Sequence, residues 1–134
     1  MKFLDNKDLG ILIFRIGIGI AFILHGYPKL IGGEEVWTKV GSAISYIGID
    51  FYPAFWGLMA ALAEVIGGIF LVTGILFKPA ITSLIFTMTI ATVMKVSKGL
   101  EFKEYAHSLE LGIVLLAFLF IGAGRYRFQL SFKK

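Results

Sequence analysis

The chain has 134 residues, of which 57% are hydrophobic and only 16% charged, with a net charge of +4. A soluble domain of this size needs a larger charged share to cover its surface, so the composition excludes an ordinary water-soluble fold and points to lipid. The basic residues are spread through short connections rather than gathered on one face, which argues against a nucleic-acid partner. The absence of Cys removes disulfides, thiolate metal sites and thiol redox chemistry from this chain.

The first apolar segment covers residues 9–28. Asp5 and Asp8 stand in its polar head, Arg15 interrupts it, and no A-x-A-like cleavage site follows, so it does not read as a signal peptide. The link from Lys29 to Tyr52 carries Val36, Trp37, Val40, Ile44 and Ile47 at helical spacing, with Glu34, Glu35, Lys39 and Ser42 elsewhere. This pattern predicts a short amphipathic helix, lying either at the membrane interface or packed outside the lipid, with Trp37, Tyr46, Tyr52 and Trp56 as an aromatic belt. The second span covers residues 53–77 and is broken only by Glu64. The third covers 79–97 and opens on Pro79, a first-turn residue. The fourth covers 105–124 and is broken by Glu110.

A hydrocarbon core of ~30 Å takes about 20 helical residues at 1.5 Å each. The third and fourth segments reach that length only by drawing in flanking residues such as Lys95, Lys98 and Glu104, whose charged ends can reach the surface. The runs are continuous rather than alternating, so they predict helices, not strands. The expected fold is all-α: one domain over residues 1–134, a four-transmembrane-helix bundle with a short amphipathic interfacial helix between the first and second spans. Lys2, Lys7, Lys78, Arg125, Arg127, Lys133 and Lys134 fall on one side, and Lys29, Lys39, Lys95, Lys98 and Lys103 on the other. The excess predicts that both termini face the cytoplasm.

Arg15, Glu64 and Glu110 lie inside apolar segments, where each charge costs about 2.5–3.5 kcal/mol at mid-membrane. They should therefore face one another or a wet cavity. Arg15, Gly19, Phe22, Gly26 and Lys29 form one stripe of the first helix, and Gly57, Ala60, Glu64, Gly68 and Leu71 one of the second. Met88, Thr92 and Lys95 align in the third helix, and Glu110, Val114, Ala117, Ile121 and Gly124 in the fourth, with His107 one turn earlier. Small residues around a buried carboxylate let helix backbones approach. The expectation is one polar pocket in which Arg15 pairs with Glu64 or Glu110, with His25, Lys29, Lys95 and His107 above them. A purely structural Arg–Glu pair that fixes helix register is the competing explanation.

Nucleotide-binding glycine loops and the HExxH zinc motif are absent. Two His on different helices are the minimum for clamping a haem iron, but neither is deep and no further ligand pattern accompanies them. A divalent ion held by His25, His107, Glu64 and Glu110 is argued for no better, and no metal is assigned.

The segments RIGIGIAFILHGYPKL (15–30), AEVIGGIFLVTG (63–74) and ELGIVLLAFLFIGAGRY (110–126) together resemble the DoxX family. The likeness spans nearly the whole chain, in the order Arg, HG-x-x-K, E-x-x-GG, then a fourth-helix Glu and G-x-GR. The tail departs from the G-P-G-R of many members, reading G-A-G-R, and lacks their following acidic residue. The resemblance implies a four-helix protein of the bacterial cytoplasmic membrane with an oxidoreductase role, linked in relatives to quinones, thiosulfate oxidation and oxidative-stress complexes. It carries the family's polar positions to Arg15, His25, Lys29, Glu64, Glu110 and Arg125. Glu64, Glu110 and His107 then become candidates for proton exchange, and Arg15, His25 and Lys29 for binding a quinone or similar molecule. With no redox centre among the side chains, electrons must pass through a bound cofactor or a soluble or membrane partner protein. The alternative is a non-enzymatic docking subunit or a carrier for a small solute or proton. Both readings leave a homo-oligomer open.

Overall fold

The computed structural model describes residues 3–128; Lys2, Lys133 and Lys134 of the orientation count lie outside the described residues. Five α-helices and a 3-10 segment follow one another, and no strand occurs among the described residues. Helix α1 runs Lys7–Ile31, started by the Asn6 side chain, which accepts a hydrogen bond from the Leu9 N–H at 3.0 Å. Helix α2 covers Glu34–Gly41 and passes into a 3-10 segment, Ser42–Ile47. Helix α3 covers Pro53–Thr73, α4 Phe77–Ser97 and α5 Phe102–Ile121. Helices α1, α3, α4 and α5 are each long and apolar enough to cross a membrane, and α2 is the shorter helix expected between the first two.

Helix ends differ from the expected spans where glycine intervenes. Helix α3 stops at Thr73 rather than 77 because Gly74 takes φ 82°, a left-handed cap that returns its N–H to the Phe70 carbonyl. Helix α4 can then begin at Phe77, which leaves Pro79 in the first turn, where no intrahelical N–H is needed.

The bundle is built around α3. A Cβ on Gly19 would lie 2.7 Å from the Gly68 carbonyl oxygen, and one on Gly26 would lie 2.7 Å from Glu64 Cβ, so α1 packs on α3 backbone to backbone. Helix α2 lies as closely against the start of α3: Gly41 abuts the Pro53 carbonyl, and Gly57 abuts that of Trp37. The Trp37 indole N–H donates to the Lys29 carbonyl at 3.0 Å, tying α2 to the last turn of α1. The 3-10 segment buries Ala43 and Ile44 and reaches across to α4. This end of the bundle is called the cap end, and the other, where Asp8 meets Arg125, the terminus end. Leu71, Phe77, Ile81, Leu84 and Leu115 join α3, α4 and α5 in the core.

The backbones of helices α1 and α5 do not approach closely. Their Cα atoms nowhere come within 8 Å, and only side chains bridge the gap. Phe14 stacks on Phe118 at 3.5 Å between ring centroids, and His25 meets His107 at 5.7 Å. The space held open behind these pairs is the candidate site.

Candidate functional site

The small residues that draw α1 onto α3 also bring Lys29 beside Glu64. Gly26 lets α1 touch α3 at Glu64, and Lys29, three residues on, reaches the same carboxylate. Lys29 Nζ donates to Glu64 Oε1 at 2.9 Å. Glu64 is 2% exposed, whereas the Lys29 side chain is 36% exposed and retains solvent contact. Among the described residues, the second carboxylate oxygen, Oε2, is buried without a hydrogen-bond partner, and so is the Trp56 indole N–H. Both residues line one cavity of about 1290 Å³. Unpaired buried polar atoms are rare and costly, at about 1–3 kcal/mol each.

Every long helix contributes to this cavity: His25 and Lys29 from α1, Ala60 and Glu64 from α3, Met88 and Lys95 from α4, His107 and Ser108 from α5. The buried Ser108 hydroxyl accepts from Thr92 Oγ1 at 2.9 Å and pins α5 to α4 below His107. Lys39, Lys95 and Lys98 ring the cap end, and Glu64 is the only carboxylate among the described lining residues. The chamber can therefore hold a mostly apolar molecule, offer it a carboxylate oxygen and an indole N–H as hydrogen-bond partners, and stabilise negative charge at its mouth.

Four of the six expected site residues meet here: His25, Lys29, Glu64 and His107. Arg15 does not, and the expected pairing with Glu64 or Glu110 is corrected. Its guanidinium, 1% exposed, is at the terminus end and donates to carbonyls alone. Nε bonds Leu71 O at 2.9 Å, Nη2 bonds Val72 O at 3.2 Å, and Nη1 bonds Ala123 O at 2.8 Å and also Tyr126 O. Leu71 and Val72 belong to the last turn of α3, whose free carbonyls and dipole favour a cation. Ala123 belongs to the G-A-G-R turn and Tyr126 directly follows it. There Gly122 and Gly124 take φ 94° and 77°, conformations that let the chain double back and present those oxygens. Arg125, carried over from the resemblance, takes part through its backbone: its N–H donates to Asp8 Oδ1 at 3.0 Å, while its side chain is exposed.

Glu110 is the second correction. The inward face of α5 is Ser108, Leu111 and Leu115, and Glu110 turns outward, away from the cavity and exposed. In lipid the outer surroundings are as apolar as the core, so hydropathy does not say which face of a helix turns inward. Two contributors escaped the sequence reading. Ser108 is not among the residues the sequence analysis singles out, and Trp56 enters it only as part of an aromatic belt; its distance of two helical turns from Glu64 is the one hint of a shared wall. No group of three or more metal-ligating side chains occurs among the described residues.

A family model described as DoxX matches residues 10–96, the stretch that carries α1 to α4 and three of the four walls of the chamber. No curated protein and no solved structure matches the chain.

Proposed function

The chain belongs to the DoxX family of membrane proteins, and from that premise we propose that it is an integral subunit of an oxidoreductase in the bacterial cytoplasmic membrane, binding a quinone or quinol in its chamber. One observation carries this reading: Glu64 Oε2 is buried, unpartnered and on the wall of an apolar cavity. A quinol hydroxyl is a donor that would satisfy it, and the ring would meet apolar walls such as Phe22 and Met88.

Oxidation of a quinol releases two protons and two electrons. Glu64, held by Lys29, takes the first proton at Oε2, and His107, at the open rim, passes protons to water. Lys29 and His25 orient the ring oxygens. The two electrons go to a partner protein of the complex. Arg15 and Glu110 stand outside this step: Arg15 locks the terminus end, and Glu110 faces outward from α5, where a partner helix would meet it. The excess in the sequence count of basic residues, which includes Lys2, Lys133 and Lys134, supports a cytoplasmic position for both termini.

The test uses purified protein in lipid nanodiscs, titrated with a quinol while tryptophan fluorescence is read. Saturable quenching is expected, weakened about tenfold or more by Glu64→Gln, the loss of one hydrogen bond to a charged group. Wild-type protein that shows no saturable binding would refute the proposal. Binding that is saturable yet never oxidised, even with co-purified partners, would favour the carrier or docking reading instead.

A further inference from the structure

Helix α5 is the least enclosed of the four long helices. Only 11% of its membrane-crossing stretch is buried within the chain, against 22–33% for the other three. Among the helices, α4 alone brings its Cα atoms within 8 Å of those of α5. On the flank towards α1, the two side-chain bridges Phe14–Phe118 and His25–His107 form the floor of an open cleft. At 100° per residue, Gly10 and Gly17 lie just outside that floor on α1, and Glu110 and Ala117 just outside it on α5. All four are exposed, and a Cβ added to either glycine would meet nothing within 4 Å. The bridges are eleven residues apart on both helices, so Gly17 and Ala117 stand at nearly the same depth. At that level both walls are small, and a further helix can come closest.

The α5 wall carries a helix-pairing pattern. Lys103, His107, Glu110, Val114, Ala117 and Ile121 recur at alternating steps of four and three, and all are exposed. That spacing is the seam of a left-handed helix pair, the prevailing packing of membrane bundles. One member of the seam is out of place against lipid. Glu110 lies about 12 Å along α5 from its first residue. It belongs to neither ion pair of the described residues, Lys29–Glu64 or Glu101–Lys103. A carboxylate left in hydrocarbon is costly, so a neighbour that donates to it is favoured.

We infer that this cleft is the contact between two copies of the chain, α5 against α5 about a two-fold axis. Copies of a membrane protein insert in one orientation, so the axis runs along the membrane normal and sets equal residues at equal depth. Ala117 then meets its counterpart on the axis. Side chains on a helix lean towards its N-terminus, so each Glu110 carboxylate reaches up one turn to the partner's His107, and the two-fold axis makes the pair twice. An imidazole donates whether neutral or charged, and its second nitrogen stays free for the chamber that His107 also lines. The face thus carries its own complement, whereas any other helix would have to bring a donor to that depth. Gly17 of α1 leaves room for the second α5 beside it. The contact closes the α1–α5 flank to lipid and does not depend on what the chamber binds.

The chain has no Cys, so single cysteines report the contact without background. Ala117→Cys is on the axis, and Ile69→Cys, on an exposed position of α3, is the control. Oxidation in the membrane should link most of the Ala117→Cys protein into dimers, because equivalent Cα atoms on the axis fall within the roughly 4.4–6.8 Å that a disulfide spans. The Ile69→Cys protein should stay monomeric. Sedimentation equilibrium in detergent should show a monomer–dimer equilibrium for wild type. Ala117→Trp should weaken it about tenfold or more by bulk, and Glu110→Leu about threefold, since single polar contacts between membrane helices are modest. Both positions are exposed, so neither substitution disturbs the core. Wild type that sediments only as monomer overturns the inference. Equal cross-linking of the two cysteines, a mark of random collision, does so as well. A dimer that either substitution leaves unchanged overturns this face or its Glu110 pairing, and a Glu110-dependent complex with a different membrane protein instead of a dimer gives the cleft to that protein.

Discussion

Arg15 and Glu64 are both buried in this bundle and are held in opposite ways. At the terminus end, Arg15 spends its guanidinium on four carbonyls from the last turn of α3 and the turn after α5. In the chamber, Glu64 has one oxygen on Lys29 and the other on nothing. Both are shielded from water to a similar degree, so burial alone does not separate structure from function. Satisfaction does. A saturated buried charge behaves as a clamp, whereas a half-satisfied one leaves free energy to be recovered by a ligand.

The largest effect expected from this contrast is at Arg15. Arg15→Met should orphan several carbonyls in a dry site and destabilise the protein by several kcal/mol, since each buried unpaired group costs about 1–3 kcal/mol. Thermal unfolding in detergent should show a large fall or no recoverable folded protein. Arg15→Lys should restore only part of the loss, because an ammonium lacks the planar fork that spans two helix ends. A variant Arg15→Met that unfolds like wild type would break the comparison from the clamp side.

Next in size is the Lys29–Glu64 pair. Lys29→Met leaves a buried carboxylate unpaired and should cost about 3–5 kcal/mol, whereas the double variant Lys29→Met, Glu64→Gln should recover most of it. The four-protein cycle, read by unfolding temperature, gives the coupling directly. Additive losses would mean that the pair is not coupled. Smaller still is Glu64→Gln alone. It should change stability by under about 1 kcal/mol, because it removes a charge that was only half satisfied, while weakening quinol binding. That split between stability and binding is the sharpest contrast with Arg15. His25→Phe should have the least effect on unfolding, within about 0.5 kcal/mol, because the ring lies at the exposed rim.

Much of the scaffold was legible in the residues. The stripe Arg15, Gly19, Phe22, Gly26 is the buried face of α1, and Gly57, Glu64, Gly68 and Leu71 belong to the buried face of α3. Both follow because a charge in a long apolar run must turn away from lipid, and small residues beside it mark where another backbone approaches. The same argument misled at Glu110. It is in the third turn of α5, where a carboxylate can reach towards the polar boundary and need not turn inward.

What the sequence by itself determined is therefore local: four lipid-crossing helices, a short helix between the first two, and which face of α1 and α3 is buried. Helical period and the penalty on buried charge are properties of a segment and its solvent, and they need no knowledge of neighbours. Only the tertiary structure decided that Arg15 binds carbonyls rather than carboxylates, that Glu110 looks outward, and that Trp56 and Glu64 share one wall. Backbone carbonyls carry no residue letter, and an apolar helix in lipid has no preferred side until another helix packs against it.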